Sequence, residues 1–306
     1  MYHLDHILVC LDISDMDESL IRYSDFLVEK LKPHTITFLH IMKTYEIPKE
    51  ILEAYPHLDK PISGVVEEEL REKIDTLLTR KNETKVIIKV SEGLTADTIL
   101  QYTRKNNISL TLMGKKIGYE GRGGIVRKVI SIIPSSVLLI SETTYPKIKQ
   151  VLVRMDFNKM SELALRMAME LRELTGAGIT CHHVYKLPLK FFPHNDPEKD
   201  PKLLKHVDQF SRKEYKKFLQ KYKLNAAEIS FSNSLDPESN EANILYKEAL
   251  TIGADIILLG SKIKSELTNI IIDSTSEKLA ATEKNIPVLI VKDRKQTTNF
   301  LEALFK

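Results

Sequence analysis

The same succession of short motifs runs twice through the 306-residue chain, and a duplicated pattern leaves few folds to choose from. Asp12-Ile13-Ser14 matches Asp156-Phe157-Asn158, and Leu39-His40-Ile41 matches His182-His183-Val184. Met113-Gly114-Lys115-Lys116 matches Leu259-Gly260-Ser261-Lys262, and Val137-Leu138-Leu139-Ile140 matches Val288-Leu289-Ile290-Val291. Independent matches in one order argue for two copies of one domain. Residues 1–142 read as the first domain, 143–146 as a short polar linker, 147–293 as the second domain and 294–306 as a C-terminal tail.

Within each copy, apolar runs alternate with stretches of helical spacing. In the first, residues 7–11, 35–42, 85–90, 109–113 and 137–140 read as strands, with amphipathic helices over 20–31, 65–78, 96–104 and 125–133. In the second, strands are expected over 150–155, 179–184, 227–232, 255–259 and 288–291, and helices over 161–174, 203–222, 242–250 and 274–281. The order βαβαβαβαβ, given twice, implies two tandem α/β domains, each a doubly wound five-stranded parallel sheet of Rossmann-like type. Residues 43–64 and 186–201 carry prolines, read as loops and differ between the copies, so a partner or small ligand has room there.

The bulk properties exclude several classes. Net charge is +3, which gives no general attraction to nucleic acid or to an acidic membrane. No apolar run approaches the roughly 20 residues of a membrane span, and the N-terminal residues lack the basic and apolar regions of a signal peptide. Cys10 and Cys181, one per copy in apolar runs, read as core thiols of a reducing compartment, so a cytoplasmic protein is expected.

Chemistry-bearing residues gather where the copies differ. In the first, residues 110–113 lead into Gly114, Lys115, Lys116, Gly118, Gly121, Arg122, Gly123 and Gly124, and a helix follows. Strand, glycine loop and helix N-terminus together suit a phosphate. In the second, the run into Gly260 and Ser261 has lost the later glycines. Asp12 and Asp156 end first strands, where ligands gather on open α/β sheets, or each caps the helix that follows.

These residues resemble the universal stress protein family in its tandem-domain form, over residues 4–142 and 147–293. The likeness rests on the Asp after strand one, the apolar end of strand two (Ile41, Val184), the Met-Gly ending strand four, and the last strand, Asn285-Ile286-Pro287-Val288-Leu289-Ile290-Val291. It implies an adenine nucleotide alpha hydrolase-like fold, a stress-response role, and an internal pseudo-dimer in which residues 137–140 and 288–291 pair, with a further homodimer left open. Family members that hold ATP, with Mg, carry G-x-x-G, about nine further residues, then G-S or G-T after strand four. The second copy has Ile263 and Asp273 at the later glycine positions, with Ser274 next, so a degenerate site is expected there, formed by Asp156, Val184, Gly260, Ser261 and Ser274. In the first, Asp12, Ile41, Gly114, Lys115, Gly118, Gly121, Gly123 and Gly124 are the candidate nucleotide ligands, in a loop about four residues shorter than the family's and lacking the final hydroxyl.

Other constellations carry less. His182 and His183, with His194 nearby, are adjacent on a strand and point to opposite faces, so they do not chelate together. No nucleophile and base stand in a known catalytic motif, so no catalytic residue is assigned. Three readings stand: a nucleotide-responsive binding protein, an interaction protein without nucleotide, and a weak ATPase of the first domain.

Overall fold

The computed structural model describes residues 4–43, 53–54, 63–80, 83–115, 124–186, 200–225, 227–236, 240–261, 274–281 and 285–293. The chain divides into two units, residues 3–146 and 147–306.

In the first unit, β1 (His6–Leu11), α1 (Met16–Leu31), β2 (Thr35–Met42), α2 (Ser63–Leu77), β3 (Lys85–Glu92), α3 (Thr95–Lys105), β4 (Leu110–Lys115), α4 (Gly124–Ile132) and β5 (Ser136–Ser141) follow in chain order. The strands pair in parallel as β3-β2-β1-β4-β5. The second unit repeats this with β6 (Gln150–Arg154), α5 (Lys159–Thr175), β7 (Gly178–Lys186), α6 (Pro201–Tyr222), β8 (Ile229–Asp236), α7 (Glu241–Thr251), β9 (Ile256–Gly260), α8 (Ser274–Ala281) and β10 (Val288–Val291). Its strands pair in parallel as β8-β7-β6-β9-β10. Both sheets are therefore the doubly wound parallel type that the alternating pattern implies.

The central strands are apolar because helices cover both faces. Ile7, Leu8 and Val9 of β1 and Val151, Leu152 and Val153 of β6 are fully buried. Helix α1 buries Leu20, Tyr23 and Leu27, and α5 buries Ala164, Met167, Ala168 and Leu171 at the same positions of the repeat.

Some boundaries differ from the sequence expectation. Strand β8 runs from Ile229 to Asp236, not over 227–232, and pairs along β7 as far as Lys186↔Asp236. Its polar stretch Ser232-Asn233-Ser234 hides it from a hydrophobic reading, since the outermost strand of the unit needs no second apolar face. Helix α6 starts at Pro201, two residues before the expected 203, with the Asp200 carboxylate accepting from the N–H groups of Lys202 and Leu203. Proline in the first turn loses no helical hydrogen bond there. Residues 299–306, expected as an amphipathic tail, lie outside the described residues.

Candidate functional site

In each sheet the first strand lies between the second and the fourth, so connections leave it in opposite directions. That switch point opens a crevice beyond the carboxyl ends of β1 and β4, and of β6 and β9. The residues singled out in the sequence are distributed around these two places.

The turn from first strand to first helix is the same in both units. Ile13 has φ +58° and Phe157 has φ +56°, a left-handed conformation unusual for branched or bulky side chains. Side chains on the following helix hold it. The buried Asp17 carboxylate accepts from the N–H groups of Asp12 and Ile13, both at 3.0 Å. Ser161 Oγ accepts from the N–H of Asp156 at 2.8 Å, five residues apart as in the first unit. Burial raises the Asp17 carboxyl above its ordinary pKa, against the lowering effect of these amides and of Lys73.

Asp12 and Asp156 both stand at the crevice edge. Asp12 is exposed and accepts the Ser14 hydroxyl at 2.5 Å. The helix-capping alternative is corrected in the second unit: the cap of α5 is Asn158, whose Oδ1 accepts from Met160 and Ser161 N–H, while Asp156 pairs with Arg154 at 3.1 Å. A residue two positions further along reaches the helix amides from the left-handed turn.

A histidine on the second strand ties it to the first. His40 Nδ1 meets the Leu11 carbonyl at 3.1 Å, and His183 Nδ1 meets the Met155 carbonyl at 2.7 Å. The repeat match of Leu39-His40-Ile41 with His182-His183-Val184 thus carries the same bond in both units. It lies just before Ile41, which is half-buried, and Val184, which is buried. His182 turns the other way and is fully buried. Its Nδ1 lies 2.8 Å from Ser232 Oγ, which itself donates to Glu248, so the ring donates. Its Nε2 has no hydrogen-bond partner among the described residues, and burial pushes its pKa down to about 4, so it is neutral at pH 7. His194 lies outside the described residues, among which no group of three or more His, Cys, Asp or Glu could hold a metal.

The glycines that end the fourth strands serve packing. A Cβ on Gly114 would lie 2.4 Å from Met16 Cγ, and one on Gly260 would lie 2.1 Å from the Met160 carbonyl oxygen. Each glycine lets the first turn of α1 or α5 close on the strand, so these two are retained whether or not a ligand binds. This packing role stands beside the expected backbone approach to a phosphate. Lys115 ends β4 as a buried residue in register with Ser141, and Ser261 is buried beside β10, its N–H donating to the Val291 carbonyl. Gly124 opens α4, and among the described residues none comes within 4 Å of its Cβ position. Gly118, Gly121, Gly123, Ile263 and Asp273 lie outside the described residues, and Ser274 is placed only as the first residue of α8.

The units part company in an ion-pair network that the sequence reading missed. Arg154, the last residue of β6, donates to Glu241 from Nε at 2.5 Å and from Nη2 at 3.2 Å. Lys186 Nζ reaches the same carboxylate at 2.8 Å, and Thr275 Oγ1 donates to it at 3.0 Å. Asp156 closes the network on Arg154. Burial alone would raise the Glu241 carboxyl, but Arg154 and Lys186 outweigh it and hold the group below the ordinary glutamate range. By sheet register Arg154 answers to Cys10 of β1. Glu241 and Thr275, first residue of α7 and second of α8, answer to Thr95 of α3 and Ile125 of α4. The only cue in the sequence is an arginine closing the apolar run Val151-Leu152-Val153.

Comparison with known proteins agrees with this duplicated architecture. Two solved universal stress proteins share the fold: one from Archaeoglobus fulgidus, 17% identical with TM-score 0.64, covering 94% of this chain and 98% of its own; and a putative one from Pseudomonas aeruginosa, 14% identical with TM-score 0.66, covering 100% and 99%. A search of curated proteins gives no match. The model of the universal stress protein family matches residues 3–141 and again 147–292. With two such matches across nearly its whole length, the chain belongs to the universal stress protein family, in tandem form.

Proposed function

We propose that the chain is a cytoplasmic stress-response binding protein whose first unit holds an adenine nucleotide, ATP with its Mg, without turnover, and whose second unit does not. The observation that carries this reading is the contrast between the crevices. In the second unit a buried carboxylate, Glu241, already sits among Arg154, Lys186 and Thr275. In the first, Cys10, Thr95 and Ile125 stand at the matching places, Asp12 is exposed, and Lys115 ends β4. A phosphate entering the first crevice would meet the start of α4, with no carboxylate of the described residues at the Glu241 place. Reduced Cys10 and Cys181 support a reducing compartment. Among the described residues, no helix is long and apolar enough to cross a membrane.

Calorimetric titration of the whole chain with Mg-ATP tests the reading, with Gly124→Val as the decisive variant. Among the described residues nothing lies within 4 Å of the Gly124 Cβ position, so valine there clashes with none of them. It would place a branched side chain at the helix start where phosphate must approach. One ATP per chain, lost in the variant, is expected; absence of binding heat in the wild type removes the nucleotide.

A further inference from the structure

We propose that the second unit keeps an oxyanion site filled by its own side chain, and that the Glu241 carboxylate is the residue that excludes phosphate from it. The geometry is that of a bound anion. A guanidinium grips both Glu241 oxygens, an ammonium and a hydroxyl add bonds to Oε2, and the carboxylate is only 4% exposed. These donors come from three separate places in the fold: the ends of β6 and β7 and the start of α8. Planar bidentate contact with arginine, completed by a lysine and a hydroxyl, is how proteins hold phosphate and sulfate as well as carboxylate.

Charge counting gives the consequence. Among the described residues, Arg154 and Lys186 bring two positive charges, and Asp156 and Glu241 two negative ones, which balance. An incoming phosphate would have to displace Glu241 or sit against it. With Glu241 removed, Arg154, Lys186 and the Thr275 hydroxyl lose the acceptor they share. A tetrahedral anion restores what was lost. The Lys186 side chain remains 60% exposed, so the vacated place has a route to solvent. This inference concerns the second unit alone and stands whether or not the first unit binds ATP.

The test compares the full chain with Glu241→Ala and Glu241→Gln, using inorganic phosphate as probe against chloride at equal ionic strength. Phosphate should stabilise a Glu241 variant beyond its effect on the wild type, by about 4 °C in melting temperature at roughly tenfold over its dissociation constant. Adding Arg154→Met should abolish the gain. If Glu241→Ala does not fold in chloride, recovery of its fold in phosphate is the same result read another way. The proposal is overturned if both variants fold and answer phosphate as the wild type does. It is equally overturned if phosphate rescues neither variant, or if the gain survives Arg154→Met, which places the anion elsewhere. Loss of ATP binding in the first unit would leave all these outcomes unchanged, so the two readings fail separately.

Discussion

Replacing Gly260 with alanine would set a methyl carbon 2.1 Å from the Met160 carbonyl oxygen, 2.5 Å from its carbonyl carbon and 2.7 Å from its Cβ. None of these atoms moves without moving the backbone of α5's first turn, which also holds the Asn158 cap. The same change at Gly114 meets Met16 at Cγ (2.4 Å), Sδ (3.0 Å) and Cε (3.3 Å), all on one side chain that can change rotamer. Overpacking a core costs about 1–3 kcal/mol. Gly260→Ala should therefore lie at or above the top of that range, about 3 kcal/mol, and Gly114→Ala near the bottom, about 1 kcal/mol. For units of this size those costs correspond to melting shifts of about 6–12 °C and about 2–4 °C. Denaturant unfolding of the full chain measures both, and a double-mutant cycle separates the causes. Met16→Ala costs about 2–4 kcal/mol alone because Met16 is buried, but it removes the clashing atoms, so its cost and that of Gly114→Ala should fall short of adding by about 1 kcal/mol. Met160→Ala leaves the carbonyl and Cβ where they were and should show no such coupling with Gly260→Ala. Equal coupling in the two pairs, or a milder effect at Gly260 than at Gly114, would refute the reasoning. It follows that a bulky residue at Gly114 is a poor probe of ligand binding, since it perturbs the fold first.

Two further outcomes rest on single side chains. Asn158→Ala should cost about 1 kcal/mol by removing the α5 cap, whereas Asp15→Ala should be nearly silent, because Asp15 makes no side-chain bond to the start of α1; chemical denaturation checks both. Burial pushes the Lys292 ammonium down to about 7 from 10.5, so between those values the unfolded chain holds a proton that the folded chain lacks. Stability should accordingly rise with pH across that window and flatten below it, and Lys292→Met should remove that slope in unfolding measured from pH 6 to 10.

The sheet was legible because its central strands are covered on both faces and therefore read as plain apolar runs, as in residues 7–9 and 151–153. Strand β8 was cut short for the opposite reason: at the outside of its unit, Ser232, Asn233 and Ser234 satisfy the ladder without apolar side chains. The repeat match correctly aligned His40 with His183, though nothing in the sequence says that both rings reach back to the first strand's carbonyl. The left-handed turns at Ile13 and Phe157 run against residue preference and were invisible to it; the Asp17 and Ser161 side chains that hold them lie on the following helix. The glycine pattern has a second cause that the sequence did not show, since Gly114 and Gly260 are required by a helix whether or not a ligand is present. Arg154 and Glu241 are 87 residues apart, and a bond between them has no local signature.

The difference between the units is physically a set rather than a scatter of changes. An arginine at the end of β6 in place of cysteine brings a guanidinium into a place where it is only 8% exposed. Alone it would be an uncompensated buried charge, a penalty of several kcal/mol. Glu241 without Arg154 and Lys186 would be the same fault with the sign reversed, and burial would then favour its protonated form. The two are tolerable together, with Asp156 also accepting from the guanidinium and the Thr275 hydroxyl also donating to the carboxylate. Cys10, Thr95 and Ile125 of the first unit bring no such charges, so no buried ion at these places needs a partner. Going from one arrangement to the other by single substitutions passes through a buried ion that has lost part of its pairing. The shared frame of left-handed turn, strand-tying histidine and packing glycine thus carries two different sets of side chains, one with a buried carboxylate held by Arg154 and Lys186 and one without it, and favours neither.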